Sequence, residues 1–218
     1  MDVKQIHTFL SGLAANNSKE WMDANKSDYL TAKQNFIDLV RNTINLTAAN
    51  DPEIASEEAK KCVFRLNRDV RFSNSKEPYK TNFGGAIAKG GRKTGNPGYY
   101  IHIMPGNNFA GGGLYQPMPD ALKKIRQEID YNADELRKII NSKSFKSVFD
   151  EPYDDQVKTA PKGFSKDNPN IDLLRFKSFI YMRKFTDKEA QSSEFPDMVQ
   201  ETFTAIKPFL DFLRRGLD

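Results

Sequence analysis

The chain has 218 residues, of which 38% are hydrophobic and 28% are charged, and it contains 16 phenylalanines. This composition excludes intrinsic disorder, and no apolar run reaches the roughly 20 residues that a membrane-spanning helix needs. The single cysteine excludes an intrachain disulfide, and with two histidines a structural zinc site is not expected, although carboxylate-bound magnesium stays open. Because the N-terminus lacks the basic start and apolar stretch of a signal peptide, we expect a cytoplasmic protein.

Helices are predicted in the first 50 residues. Residues 3–15 carry apolar side chains at helical spacing. The next helix starts near Asn17 and Ser18, which are N-cap residues, with Glu20 in the position of a capping box. This second helix is either continuous or broken near 25–28, and the polar residues before Pro52 end it.

The middle of the chain changes to short segments that are rich in β-forming residues or glycine and are separated by turn residues. Strands are predicted at 62–66, 83–89, 98–104, 108–113 and 178–184. Further helices are predicted at about 119–131, 132–141, 144–149 and 195–215. Pro208 predicts a kink or a break in the last of these helices.

This order of helices, strands and helices predicts an α+β fold. We expect a single domain over residues 1–218, because no internal repeat or low-complexity linker interrupts the sequence. In this domain a central antiparallel sheet of about four to six strands is flanked by N-terminal and C-terminal helices.

Two nucleotide-binding motifs were tested and both fail. The loop GGAIAKGGRKTG would match a phosphate-binding loop only with glycine at positions 87 and 92, which hold Ile87 and Arg92. A dinucleotide-binding glycine pattern is also absent, because Gly111 and Gly113 are followed by Leu114, Tyr115 and Gln116.

The strongest functional signal is a cationic segment, residues 64–83, with the sequence FRLNRDVRFSNSKEPYKTNF. The window 60–93 holds ten Lys and Arg against two Asp and Glu, whereas the net charge of the whole chain is +4. The positive charge is therefore local, which suits a negatively charged ligand. The alternative is that Asp69 and Glu77 neutralise an ordinary solvated surface.

We therefore predict an anion site built from this segment and from one tyrosine of a neighbouring strand. Guanidinium groups hold phosphate or carboxylate with two parallel hydrogen bonds. In a strand at 62–66, Phe64 and Leu66 would share one face and Arg65 would lie on the other. The predicted ligand-binding residues are Arg65, Asn67, Arg68, Arg71, Lys76, Tyr79, Lys80, Asn82 and Tyr100.

His102 is the candidate for a catalytic residue. Tyr100 and His102 alternate onto one face of the predicted strand 98–104, so the imidazole could act as a proton donor beside a bound anion. The alternative is a structural histidine, which is the more common role of a lone histidine on a strand. Cys62 is predicted to be a small core residue, and the glycines at 111–113 are predicted to allow close packing.

Several pieces of the sequence, taken in order, resemble a known family. They are Asn16-Asn17, Glu20-Trp21, Arg68-Asp69-Val70-Arg71-Phe72, Pro78-Tyr79-Lys80-Thr81-Asn82, Gly98-Tyr99-Tyr100, Gly111-Gly112-Gly113-Leu114, Pro161-Lys162-Gly163-Phe164 and Leu174-Arg175 with Lys177. Their combination, over nearly the whole chain, is similar to the family catalogued as domain of unknown function 2461. The resemblance implies one compact domain, and it brings no established activity, cofactor or catalytic residue.

Three functions fit the sequence. The first is a site for a phosphorylated or carboxylated small molecule, in a binding protein or in an enzyme. The second is association with nucleic acid, which a pI near 9.0 and the interleaved aromatic residues allow. The third is docking on an acidic partner protein. A membrane partner is not expected, and the cofactor, the oligomeric state and any part played by Lys162, Arg175 and Lys177 are left open.

Overall fold

The computed structural model of the protein describes residues 1–69 and 76–218. Its described α-helices are α1 (Val3–Ala15), α2 (Lys19–Ala24), α3 (Lys26–Thr47), α4 (Ala59–Cys62), α5 (Pro119–Tyr131), α6 (Ala133–Ile140), α7 (Lys143–Lys146), α8 (Ile171–Leu174), α9 (Asp187–Ala190) and α10 (Phe195–Arg215). Its described strands are β1 (Phe83–Ile87), β2 (Gly98–Ile103), β3 (Asn108–Leu114) and β4 (Phe179–Phe185). A 3-10 turn, Pro52–Ile54, follows α3. The predicted α+β fold is confirmed.

The four strands form one antiparallel sheet in the order β1-β2-β3-β4. Val63 and Phe64 lie beside β1, where the Phe64 amide donates to the Gly84 carbonyl at 2.9 Å, and residues 66–68 pair instead with residues 78–80. An extended segment flanks β4, where the Tyr153 amide donates to the Ile180 carbonyl at 2.9 Å. The expectation of an antiparallel sheet flanked by helices is therefore confirmed, with four strands in the described residues.

The prediction of a strand at 62–66 was wrong in detail. Cys62 ends α4, and Val63 forms only an isolated bridge with Gly85. The predicted alternation also fails, because Leu66 is in the hydrophobic core whereas Phe64 is only partly buried and lies against Tyr100. A short edge segment without a continuous ladder does not have to keep the two-residue period of a regular strand.

One face of the sheet, here called the inner face, is covered by α3 and α10. Phe36 of α3 stacks on Phe83 with ring centroids 5.5 Å apart, and Phe203 of α10 stacks on Tyr99 at 4.4 Å. Both helices contribute apolar stripes that the helical period predicts. Burial of these rings removes large apolar areas from water and stabilises the fold.

The starts and ends of the helices follow local capping chemistry. The Ser18 side chain accepts from the Trp21 amide and caps α2, and α2 and α3 are separated at Asn25. Asn17 does not cap a helix, because its side-chain amide pairs with both the amide and the carbonyl of Tyr79, at 3.1 and 3.0 Å. The break between α2 and α3 is therefore confirmed, and the cap lies one residue later than the predicted capping box.

Of the kink or break predicted at Pro208, the break does not occur, because α10 continues through this residue to Arg215. A proline inside a helix removes the hydrogen bond to the carbonyl four residues earlier. Here that carbonyl belongs to Thr204, and both Thr204 and Pro208 are exposed. Water can therefore hydrate the freed carbonyl, and the apolar stripe of α10 keeps the helix on the sheet.

Candidate functional site

The sheet face opposite α3 and α10, here called the outer face, carries three aromatic side chains. Tyr100 and His102 of β2 alternate with the inner-face residues, and Phe109 of β3 lies directly opposite His102. The His102 and Phe109 rings are stacked, with centroids 4.4 Å apart and planes inclined by 9°. Tyr100 lies 5.8 Å from Phe109 and 6.2 Å from His102.

Phe64 extends this group from the edge segment, because its ring centroid lies 6.4 Å from that of Tyr100. Phe64, Tyr100, His102 and Phe109 are called the outer-face aromatic cluster below. All four side chains are partly exposed. Partly exposed rings that contact one another form a surface on which another flat group can pack.

The Tyr100 ring lies across strand β1 above Gly84. A Cβ atom built on Gly84 would be 2.3 Å from the Tyr100 hydroxyl oxygen, so the missing side chain makes room for this ring. Burial raises the pKa of Tyr100 to about 12. The side chain is therefore a neutral phenol at neutral pH and can donate a hydrogen bond.

His102 has one ring nitrogen without a partner among the described residues. Its Nδ1 atom lies 3.5 Å from the Asn82 side-chain nitrogen, whereas its buried Nε2 atom makes no hydrogen bond in the described part of the chain. Burial lowers the pKa of His102 to about 4, so the ring is neutral at pH 7. This protonation state favours a hydrogen-bonding role over proton donation.

The lowered pKa of His102 predicts acid sensitivity. Between pH 7 and pH 5, His102 in the unfolded chain, with a pKa near 6.5, takes up a proton that it does not bind in the folded protein. The free energy of unfolding therefore falls as the pH is lowered. The loss is at most about 2 kcal/mol over this interval, and partial exposure of the ring reduces it. Urea unfolding of the wild type and of His102→Asn at both pH values checks this, because the difference cancels other titrating groups. Equal losses in the two proteins would contradict it.

Two cations contact Phe64 at the border of the outer-face aromatic cluster. The Lys80 ammonium lies 5.8 Å from the ring centroid and the Arg92 guanidinium carbon 5.5 Å from it. Arg92 also donates to the Lys61 carbonyl, which fixes the β1–β2 connection beside α4. Such cation–π contacts leave the N–H groups that do not face the ring available to an anion.

The cations around Phe64 have no carboxylate partner among the described residues, in contrast to those cations of the described chain that form ion pairs. Within residues 1–69 and 76–218, no Asp or Glu lies within 4.0 Å of the charged groups of Arg65, Lys80 or Arg92. Elsewhere ion pairs hold Arg41, Lys61, Lys89, Arg137, Lys177, Arg183, Lys207, Arg214 and Arg215. Lys80 and Arg92 therefore contribute positive potential beside Phe64 that no described carboxylate offsets.

Of the predicted ligand-binding residues, the structure brings Lys80, Asn82 and Tyr100 together with His102. Arg65 is exposed and follows Phe64 in the chain, and Asn67 is exposed and forms a backbone bridge with Tyr79.

Four predicted ligand-binding residues remain, and three of them are described. Arg68 is half-buried, and its Nη1 atom lies 3.6 Å from a Glu77 carboxylate oxygen. Lys76 is exposed, and Arg71 lies outside the described residues. Tyr79 belongs to the hydrophobic core, where burial, together with the carboxylates of Asp23 and Glu20, raises its pKa.

Arg175 and Lys177 lie at the opposite edge of the sheet. The Lys177 amide donates to the Asp155 carbonyl, and the Lys177 ammonium pairs with the Asp155 carboxylate at 2.5 Å. This segment pairs with residues that flank β4, whereas the cationic segment flanks β1. The two groups of cations are therefore separated by the width of the sheet, and Lys162 is exposed.

The sequence analysis missed Phe64, Phe109 and Arg92 as parts of this site. Alternation along β3 could have placed Phe109 on the side opposite Ala110, but only the strand register shows that it meets His102. Arg92 was considered only for the phosphate-loop motif. Its approach to Phe64 depends on how the β1–β2 connection folds back, which short-range patterns do not predict.

The described chain has neither a membrane-spanning helix nor a group of metal-binding side chains. None of its helices combines the length and apolar composition needed to cross a membrane. Nor do the described His, Cys, Asp and Glu side chains form a group of three or more that could hold a metal ion. Burial raises the pKa of the Cys62 thiol to about 11, so this core cysteine is a poor nucleophile.

Comparison with known proteins identifies a family but assigns no activity. No curated protein and no solved structure matches the chain. One family model, described as "Conserved hypothetical protein (DUF2461)", matches residues 5–212. This match covers nearly the whole sequence and agrees with the resemblance seen in the motifs. The chain therefore belongs to the DUF2461 family.

Proposed function

We propose that the outer-face aromatic cluster, with Lys80 and Arg92 at its border, binds a phosphorylated or carboxylated small molecule. The observation that carries this proposal is the contact of both cations with the Phe64 ring, where no described carboxylate neutralises them. An anion placed there would gain charge-assisted hydrogen bonds without displacing a carboxylate of the described residues from these side chains.

Neutral donors on the same face support the proposal. The Tyr100 phenol is neutral at pH 7, and the Asn82 amide lies beside His102. The His102 nitrogen that lacks a partner among the described residues is buried, and a buried polar group without a partner costs about 1–3 kcal/mol. A ligand could recover part of that free energy only if the His102 ring turns to expose this nitrogen.

The charge distribution argues for this location over a surface depression elsewhere on the protein. A surface depression between α5 and α6 is lined by Asp130, Asp134 and Glu135 with only one cation, Lys138. Three carboxylates repel an anionic ligand. The outer face near Phe64 has the opposite sign and lies in the most cationic window of the sequence.

We propose further that residues 1–218 act as one domain around this site. The buried side chains form one hydrophobic cluster, which extends from Val3 in α1 to Leu213 in α10. A single core that includes both ends of the chain supports unfolding as one cooperative unit. Two separate unfolding transitions in calorimetry would contradict this proposal.

Thermal unfolding in the presence of phosphomonoesters and carboxylates tests the anion site. A ligand present at about 100 times its Kd stabilises the folded state by about 2.7 kcal/mol, which raises the Tm of a chain of this size by roughly 5–10 °C. We expect Lys80→Gln and Arg92→Gln each to weaken binding about tenfold or more, because each removes a charge-assisted hydrogen bond.

The matched control for these variants is Lys123→Gln, which removes one charge from an exposed position of α5. It should leave the Tm shift unchanged. If no anion raises the Tm of the wild type, or if all three variants weaken binding equally, the proposal is wrong.

Single-stranded nucleic acid is a second candidate ligand, because aromatic rings on a sheet face next to cations can stack bases and contact phosphates. Binding of an oligonucleotide should then weaken steeply with salt, since each phosphate contact releases counterions. Titration of a fluorescent oligothymidylate at two salt concentrations checks this. No affinity at low salt would exclude this candidate and leave the small-molecule proposal in place.

A further inference from the structure

We infer that the ligand of the outer-face site carries a flat aromatic ring next to its anionic group, as an aryl phosphate or aryl carboxylate does. This inference rests on the proposed function and specifies its ligand class. It is drawn from the composition of the face: four aromatic rings are available for contact, Lys80 and Arg92 lie at the Phe64 end of the group, and Lys184 of β4 lies opposite Phe109 at the other end.

The outer-face aromatic cluster offers a packing surface for a flat ring. His102 and Phe109 stack at 4.4 Å, and Tyr100 lies within 6.2 Å of both rings. Aromatic rings prefer other rings in stacked or edge-to-face arrangements, and such pairs contribute beyond the area that they bury. An aliphatic group of equal size would bury similar area at this surface but would lack this additional attraction.

The positions of the cations and of Tyr100 limit the distance between the anionic group and the aromatic ring of the ligand. Lys80, Arg92 and Tyr100 all contact the same Phe64 ring. A phosphate or carboxylate held by the cations is therefore separated from Tyr100 by about one aromatic ring. This spacing suits a molecule in which the anionic group is bonded to the ring directly or through a short linker.

Two polar atoms of the outer-face aromatic cluster lie close to the ring surface. The His102 Nε2 atom is buried without a partner among the described residues, and the Tyr100 hydroxyl is a neutral donor. Both belong to the aromatic cluster itself. The Tyr100 hydroxyl can hydrogen-bond to the anionic group or to a ring substituent while the ligand ring packs on Phe109, whereas His102 Nε2 can do so only if its ring turns to expose this atom.

The test compares phenyl phosphate with cyclohexyl phosphate by titration calorimetry. The two probes have the same charge and nearly the same size, but only phenyl phosphate has a flat aromatic ring. We expect the wild type to bind phenyl phosphate about tenfold more tightly, which corresponds to about 1.4 kcal/mol. Benzoate and cyclohexanecarboxylate repeat the comparison and decide whether the anionic group is a phosphate or a carboxylate.

Two variants assign the effect to the residues named above. Phe109→Leu should abolish the preference for the aromatic probe, whereas Lys80→Gln should weaken both probes by the same factor. If the wild type binds both probes equally, the inference of an aromatic ligand is wrong, but the proposed anion-binding function is not contradicted. If it binds neither these probes nor any other phosphomonoester or carboxylate, the proposed function fails with it. The wild-type comparison is independent of whether Phe109→Leu folds.

Discussion

Replacement of Arg214 by methionine should lower the free energy of unfolding by about 3–5 kcal/mol, because it leaves a buried carboxylate without its cation. The carboxylate is that of Asp51, whose residue is 1% exposed. Its Oδ2 atom lies 2.9 Å from Nη1 of Arg214 and also accepts from the Tyr99 hydroxyl at 2.8 Å. Urea unfolding of the wild type and the variant measures the loss.

The size of this effect follows from desolvation. Both charges have left water, and their attraction compensates for this only while they are paired. Burial, together with the neighbouring Asp51 carboxylate, also raises the pKa of Tyr99, so this side chain donates to the carboxylate but cannot neutralise it. Arg214→Met therefore leaves one phenolic hydrogen bond as the only described compensation for a buried negative charge.

Arg215 supplies a matched control one residue later. It pairs with Glu128 and Glu135 at 2.7 Å, but its side chain is 48% exposed. Arg215→Met should cost less than about 1 kcal/mol, as exposed ion pairs do. The double variant Asp51→Asn with Arg214→Met removes both charges and should be more stable than Arg214→Met alone. Equal losses for the two arginine variants would show that the buried pair does not form in solution.

The longer helices and the class of fold could be predicted because their signals are local. The apolar spacing in residues 3–15 and 195–215 gave the bounds of α1 and α10 almost to the residue. Alternation along β2 placed Tyr100 and His102 on one face, as observed. These patterns depend only on the helical and strand periods, which neighbouring residues in the chain determine.

The candidate site could be predicted only in part because its geometry depends on pairing between distant segments. Tyr79 appeared equivalent to Lys80 in the sequence, yet the Asn17 amide holds the backbone of Tyr79 and its ring lies in the core. The contact of Arg92 with Phe64 likewise joins two segments about 30 residues apart. Composition placed the positive charge in the right region, and tertiary packing decided which side chains meet there.

Glycine at position 113 should be among the most sensitive positions of the sheet. Its φ is +138°, and a Cβ atom built there would lie 1.9 Å from the Phe179 carbonyl oxygen of β4. Gly113→Ala must therefore move the backbone of β3 or β4 in addition to adopting an unfavourable φ. We expect a loss of about 4 kcal/mol in the free energy of unfolding, the sum of backbone strain and overpacking.

Two other glycines separate these contributions. Gly163 has a φ of +93° with no atom within 4 Å of a built Cβ, so Gly163→Ala should cost only the strain, about 1–2 kcal/mol. A Cβ atom on Gly111 would lie 2.1 Å from the Tyr181 carbonyl oxygen, so Gly111→Ala tests the clash with β4 alone. Urea unfolding of the three variants should rank Gly163→Ala as the mildest and Gly113→Ala as the most severe. If Gly113→Ala were as mild as Gly163→Ala, β3 and β4 could not approach as closely as the structure has them. The glycine run would then need an explanation other than strand packing.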